Sequence, residues 1–171
     1  MDITKLKRIK LLLLDVDGVL TDGCIIYNDK SVETKVFNVK DGLGIRLLMQ
    51  AGVKVGIVTS RSSKALYHRC NNLDISLIFD GVHEKISVLE LISEQTGLLA
   101  EEIAFVGDDL PDLPLMRKVG FSIAVADAHK TVIENVDMVT SAKGGAGAVR
   151  EVCEAILKAQ GFWNKILERF L

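Results

Sequence analysis

Proline and aromatic residues are scarce in this sequence, at 2 prolines and 5% aromatics in 171 residues. With 49% hydrophobic and 26% charged residues, the composition is that of an ordinary globular chain and not of a disordered one. Charge of one sign is also lacking: the net charge of -2 excludes a broad basic surface for nucleic acid or anionic lipid, so neither is expected as a partner. Any bound phosphate must be held by local positive groups. Cysteines number three, Cys24, Cys70 and Cys153, an odd count at wide spacing. That gives neither a disulfide framework nor paired zinc-ligand spacing, and it fits a reducing, cytoplasmic setting. Long apolar runs are missing as well. The opening MDITKLKRIKLLLLDVD has only a short one, ended by two aspartates, which is too short to span a bilayer and lacks a cleavage site. It reads as a buried strand, and a chain of this length reads as one domain, residues 1–171.

Short apolar runs ending in small or acidic residues recur at Ile9 to Asp15, Val53 to Ser60, Ile75 to Asp80, Ile103 to Asp108 and Phe121 to Ala126. Such runs suit parallel strands covered on both faces. Helical periodicity lies between them at Leu43 to Ala51, Ser63 to Asn71, Glu84 to Thr96 and Leu113 to Val119. The alternation predicts an α/β fold with a doubly wound, mostly parallel sheet. Cys24 to Tyr27 and Val32 to Phe37 are β-prone around Asn28-Asp29-Lys30-Ser31, which predicts a projecting β-hairpin over about 24–37. Gly144 to Gly147 reads as a flexible hinge before a helical tail over about 145–171, with an amphipathic helix at Ala148 to Ala159.

Ligands of doubly wound sheets gather at the carboxyl ends of the strands, and here those ends carry Asp15, Asp17, Thr59, Ser60, Asp108 and Asp109. An acidic pair at a strand end is commonplace in turns. Gly107-Asp108-Asp109-Leu110-Pro111-Asp112 brings the number of acids at this edge to five. Like charges about 4 Å apart repel by roughly 4 kcal/mol at an effective dielectric of 20, so acids sharing a cleft imply a cation or raised pKa values. Hard oxygen ligands favour magnesium. Asp112 fits a helix cap as well as it fits a site. Thr59 and Ser60 suit caps or donors to phosphoryl oxygens. Lys85 and Arg61, each near a helix start, oppose the local dipole and suit solvent unless a ligand uses them. His83 sits beside Lys85 and is left unassigned, His68 and His129 read as surface residues, and Phe162 and Trp163 read as packing groups.

The order Asp-x-Asp, Thr, Lys, Asp-Asp resembles the haloacid dehalogenase superfamily. The strings DVDGVLTDG, FNVKDGLGIRLL, GDDLPDLP and GGAGAVREVCEAIL resemble its capless branch over essentially the whole chain. The resemblance implies a fold without a cap domain and a magnesium-dependent phosphatase acting through an aspartyl-phosphate. Asp15 would be the nucleophile and Asp17 the acid and base. Asp15, Asp17 through its carbonyl, and Asp108 would hold magnesium, with Asp109 and Asp112 orienting it. Thr59 and Ser60 would cradle phosphoryl oxygens, and Lys85 would neutralise the nucleophile. Where the family usually has Thr-Gly-Arg, this chain has Thr59-Ser60-Arg61, a departure that keeps a small residue. Arg61 would grip the carboxylate of an eight-carbon sugar acid phosphate used for lipopolysaccharide precursors. The alternative is a nine-carbon sugar acid phosphate, whose enzymes often carry Glu at that position. A homotetramer is implied, its hairpins closing neighbouring sites, and the apolar residues of the hairpin point the same way. A non-catalytic phospho-accepting or oligomerisation module is the reading of a different class. An acid two residues after Asp15 argues against it.

Overall fold

The computed structural model describes residues 2–171. Among the described residues, eight strands form two sheets. β1 (Leu11–Leu14), β4 (Lys54–Val58), β5 (Leu77–Phe79), β6 (Ile103–Gly107), β7 (Phe121–Ala124) and β8 (Met138–Val139) make one sheet in the order β5-β4-β1-β6-β7-β8. Every pairing in it is parallel. β2 (Ile26–Tyr27) and β3 (Glu33–Thr34) form a separate antiparallel hairpin.

All four leucines of β1 are fully buried, as a central parallel strand covered on both faces requires. The helices that cover the sheet include α2 (Val39–Gln50), which packs on α7 (Ala148–Ala159), while α1 (Ile3–Lys7) lies against the same α7. α5 (Leu113–Met116) packs on β6 and β7. From β1 the chain moves outward to β4 and β5, then returns to the other side of β1 for β6, β7 and β8. The reversal falls between β1 and β6, and their carboxyl ends border the crevice that such a reversal opens.

Local chemistry sets the element boundaries. α2 starts four residues before the expected Leu43 because Asn38 caps it, accepting from the Lys40 N–H at 2.8 Å. Ser63 caps α3 (Lys64–Leu73) in the same way at 3.2 Å. The stretch expected as one helix from Glu84 is instead a 3₁₀ turn, Lys85–Val88, followed by α4 (Leu89–Thr96). The predicted strands lose at most two residues at either end, although the Asp15 N–H still donates to Val106 O at 3.0 Å. α1, β8 and α6 (Lys130–Ile133) were too short for periodicity to reveal. In the tail α7 falls where expected, and α8 (Trp163–Leu167) follows it.

Two expectations need correction. The hairpin strands have only two residues each, so the β-structure covers a small part of residues 24–37. Ile25, Ile26, Tyr27, Val32 and Val36 are exposed along it. Gly144 to Gly147 is not a free hinge: a methyl group on Gly144 would overlap the carbonyl oxygen of Gly18, and the Gly145 N–H donates to Val19 O at 2.9 Å. Glycine is required there by close backbone approach, which presses this loop onto the turn after β1. None of the described helices is long and apolar enough to cross a membrane.

Candidate active site

The crevice between β1 and β6 is a cleft of about 180 Å³ lined by Asp15, Asp17, Thr59, Ser60, Arg61 and Lys85, together with Asp108, Asp109, Pro111 and Asp112. Every residue expected at the site therefore lines one cleft. Asp15 follows β1, Thr59 to Arg61 follow β4, and Asp108 follows β6. Sheet twist and parallel register bring these strand ends together.

Lys85 is the positive centre of the cleft. It is buried, with Nζ 2.9 Å from Asp15 Oδ1 and 2.5 Å from Asp112 Oδ1. Burial works against its ammonium, but Asp15 and Asp112 outweigh that and raise its pKa. Asp112 has both functions considered from the sequence. Its Oδ2 accepts from the Asp108 and Asp109 N–H groups at 2.9 and 3.2 Å, capping the turn, and its carboxylate also joins the acidic cluster. Asp109 is exposed and accepts from the Leu110 N–H at 2.8 Å, so its carboxylate serves the turn and lies outside that cluster.

Oxygens of Asp15, Asp108 and Asp112 all lie within 4.8 Å of one another. Burial pushes Asp108 up to about 8, with further upward pressure from Asp15 and Asp112. Burial also raises Asp15 to about 6, against the pull of Lys85. Three carboxylates facing one ammonium are an electrostatic surplus that a hard divalent cation would relieve, and an all-oxygen donor set suits magnesium. A methyl group on Gly18 would collide with the Asp108 carboxylate, so the turn after β1 is shaped around that side chain.

Thr59 is buried, and its backbone bridges to Phe79 O at 2.9 Å and to the Val82 N–H at 3.0 Å. The Ser60 hydroxyl donates to Val82 O at 2.9 Å, so its side chain holds the loop in place. Arg61 is paired within the chain, with Nη2 2.8 Å from Glu33 Oε2 and 3.0 Å from the Tyr27 hydroxyl. Sequence reasoning missed Glu33 and Lys35, which meet Arg61 and Asp17 from the hairpin. Lys35 lies one residue past β3, so strand alternation in the sequence did not signal the pair. His83 and His68 are exposed, His129 caps α6 through Nδ1, and Trp163 packs against the core under Arg150 and Lys158.

A Rossmann-like sheet with an acidic cluster, a buried lysine and a threonine at its switch point defines a class that the sequence comparisons also reach. Residues 77–152 match the family model of haloacid dehalogenase-like hydrolases, and the chain belongs to that family. Among its relatives, the 3-deoxy-D-manno-octulosonate 8-phosphate phosphatase KdsC of Escherichia coli K12 is 46% identical over 159 residues, which cover 93% of this chain and 85% of the relative. The crystal structure of the phosphatase of that name from Moraxella catarrhalis, in complex with magnesium, phosphate and KDO, has a TM-score of 0.97 at 43% identity, covering 99% of this chain and 97% of the other. The cobalt-bound form of the Haemophilus influenzae phosphatase has a TM-score of 0.89 at 45% identity, covering 92% of each chain.

Proposed function

We propose that the protein is a magnesium-dependent phosphomonoesterase. It hydrolyses 3-deoxy-D-manno-octulosonate 8-phosphate to the free sugar acid and phosphate, a step in lipopolysaccharide precursor synthesis. The observation that carries this reading is the Lys85 ammonium, 2.9 Å from Asp15 at a switch point that also gathers Asp108 and Thr59. The names of the relatives supply the substrate.

In the first step an Asp15 carboxylate oxygen attacks phosphorus and the bond from phosphorus to the sugar oxygen breaks. Asp17 gives a proton to the departing alkoxide. In the second, Asp17 takes a proton from water as that water's oxygen attacks the aspartyl-phosphate, and the bond to Asp15 breaks to release phosphate. Lys85 offsets charge on Asp15 and on the transferring group, while the Thr59 hydroxyl and Ser60 N–H donate to phosphoryl oxygens. Magnesium, held by Asp15, the Asp17 carbonyl and Asp108, would supply charge neutralisation at the phosphoryl oxygens. Asp112 fixes the loop that carries Asp108, and Asp109 caps the turn beyond it. Arg61 receives the carboxylate of the sugar acid.

Residues 1–171 act as one catalytic unit without a cap domain, in the cytoplasm, and the exposed apolar residues of the hairpin are covered by other copies in a homotetramer. Light scattering that finds an active monomer at micromolar concentration would sink the tetramer. The function itself is tested by free-phosphate release from a panel of sugar acid phosphates with and without magnesium. Fastest turnover of the eight-carbon substrate, abolished by EDTA, is the expected result. Preference for a nine-carbon acid would reassign the substrate, and no release from any of them would overturn the reading.

A further inference from the structure

Four charged groups close a ring over the cleft. Asp17 Oδ1 meets Lys35 Nζ, which lies 2.8 Å from Glu33 Oε1. Glu33 Oε2 lies 2.8 Å from Arg61 Nη2, and Arg61 Nε returns to Asp17 Oδ2 at 3.4 Å. Two members follow β1 and β4, and two come from the hairpin. The Lys35 side chain is 3% exposed and that of Arg61 38%, so the ring has a sealed side and a wet one. Asp17 Oδ2 and Arg61 Nε are buried within it without a hydrogen-bond partner. The guanidinium is thus gripped through Nη2 alone, while Nε beside it has no acceptor in hydrogen-bonding geometry.

We propose that Glu33 is a built-in stand-in for the substrate's carboxylate, holding Arg61 in the free enzyme and giving up that place when a sugar acid phosphate enters. The inference rests on Arg61 as the carboxylate receptor. An incoming carboxylate that spans Nη2 and Nε makes the paired contact that Glu33 does not make, and paired contacts to guanidinium are the stronger ones. The exchange replaces one carboxylate with another, so the ring keeps two charges of each sign and no cation is stranded. A phosphate ester without a carboxylate makes no such exchange and gains nothing when Glu33 leaves Arg61. Glu33 thereby sets how tightly Arg61 holds a substrate carboxylate. Strands of two residues each oppose a local shift of Glu33 with few ladder hydrogen bonds. A purely structural Glu33, holding Arg61 ready for substrate, has the opposite consequence: its loss would weaken substrate binding.

The test is Glu33→Gln, which keeps the shape and removes the charge. KM for 3-deoxy-D-manno-octulosonate 8-phosphate should fall roughly three- to tenfold, the scale of one half-exposed ion pair. The preference in kcat/KM for that substrate over glucose 6-phosphate should rise by the same factor. A KM that rises or stays unchanged, or an equal gain on both substrates, overturns the proposal. Calorimetric binding of the free sugar acid, without turnover, gives a second readout on Glu33→Asp, whose shorter carboxylate falls short of Arg61. Tighter binding than wild type supports the proposal, and equal or weaker binding overturns it. Wild-type enzyme that does not hydrolyse the sugar acid phosphate sinks the functional reading itself. Normal turnover with no gain in the variants sinks this inference alone.

Discussion

Lys85 Nζ lies 2.9 Å from Asp15 Oδ1, an ion pair buried at the point where the sheet order reverses. Because Asp112 shares the same ammonium at 2.5 Å, Lys85 also restrains the repulsion among the acids. Lys85→Met keeps the stem and deletes the charge. Turnover should fall about 10²- to 10³-fold, the usual loss when one preorganised electrostatic contact is removed. The metal-free variant should also lose about 3 kcal/mol, since the carboxylates keep their burial without the partner. Magnesium should recover part of this, so the rise in Tm between EDTA and magnesium should be larger in Lys85→Met than in wild type. An equal rise in both would place the metal away from Asp15 and Asp112.

Asp15 and Asp17 are two residues apart and carry different tasks, which an activated substrate separates. Asp15→Asn should abolish turnover and phospho-enzyme alike, because an amide supplies no attacking carboxylate. Asp17→Asn should lose about 10²- to 10⁴-fold on an alkyl phosphate. On p-nitrophenyl phosphate, whose leaving group needs no proton, the first step should recover and phosphorylated Asp15 should accumulate for lack of a base. Acid-quench mass spectrometry reads this directly. Absence of the phospho-adduct with turnover intact would remove Asp15 from its role.

The strand ends were legible in the sequence because a buried parallel strand is a short apolar run, and the acid or hydroxyl that stops it points at the ligand. β1, β4 and β6 deliver Asp15, Thr59 and Asp108 in that way. A five-residue helix such as α1 and a two-residue strand such as β8 carry too little periodicity to be seen. Tertiary closeness was also hidden. Glu33 and Lys35 read as ordinary hairpin charges until the fold sets them over Asp17 and Arg61, and the run of glycines from Gly144 reads as slack until Gly18 is found against it.

That last contact predicts an effect at a distance. Gly144→Ala places a methyl group against the Gly18 carbonyl, so the turn after β1 must shift. Overpacking of this kind costs about 1–3 kcal/mol. The same turn abuts the Asp108 carboxylate through Gly18, so kcat should fall about tenfold or more even at temperatures where the variant is fully folded. Wild-type kcat together with a lowered Tm would show that the two loops are mechanically independent.

Asp137 gives the fold an acid-sensitive tie. Its Oδ2 accepts from the Ser122 N–H and hydroxyl at 3.0 and 3.1 Å, and Lys5 Nζ lies 2.6 Å from Oδ1, joining α1 to the β7–β8 edge. Burial favours the neutral acid, but Lys5 and Ser122 outweigh it and hold the carboxyl below its usual range. A depressed pKa stabilises the fold above the unfolded value near 4, and that stability is lost as pH falls through the folded value. At pH 7, Asp137→Ala should therefore be less stable than wild type by about 1–3 kcal/mol. The gap should hold down to about pH 5 and narrow below about pH 4. Urea melts across that range check it, and a gap that widens in acid would contradict the sign.

Arg61 is the group on which substrate choice turns. Its guanidinium lies beside Asp17, and the side chain as a whole is 38% exposed, so Arg61 is reachable from solvent. Losing a charge-assisted contact to a substrate carboxylate is worth about 1.5–3 kcal/mol, which is roughly a ten- to hundredfold fall in kcat/KM. Arg61→Ala should show that loss on 3-deoxy-D-manno-octulosonate 8-phosphate and a much smaller one on glucose 6-phosphate. Equal losses would mean that Arg61 serves the phosphate or the fold. The ring adds a sharper demand, because Glu33 and Arg61 are in contact and their effects must couple. With Arg61 replaced by alanine, Glu33 has nothing to withhold from the substrate, so adding Glu33→Gln should give no further change in KM. A gain in the double variant as large as in Glu33→Gln alone would show that Glu33 acts through bulk charge at the mouth and not through Arg61.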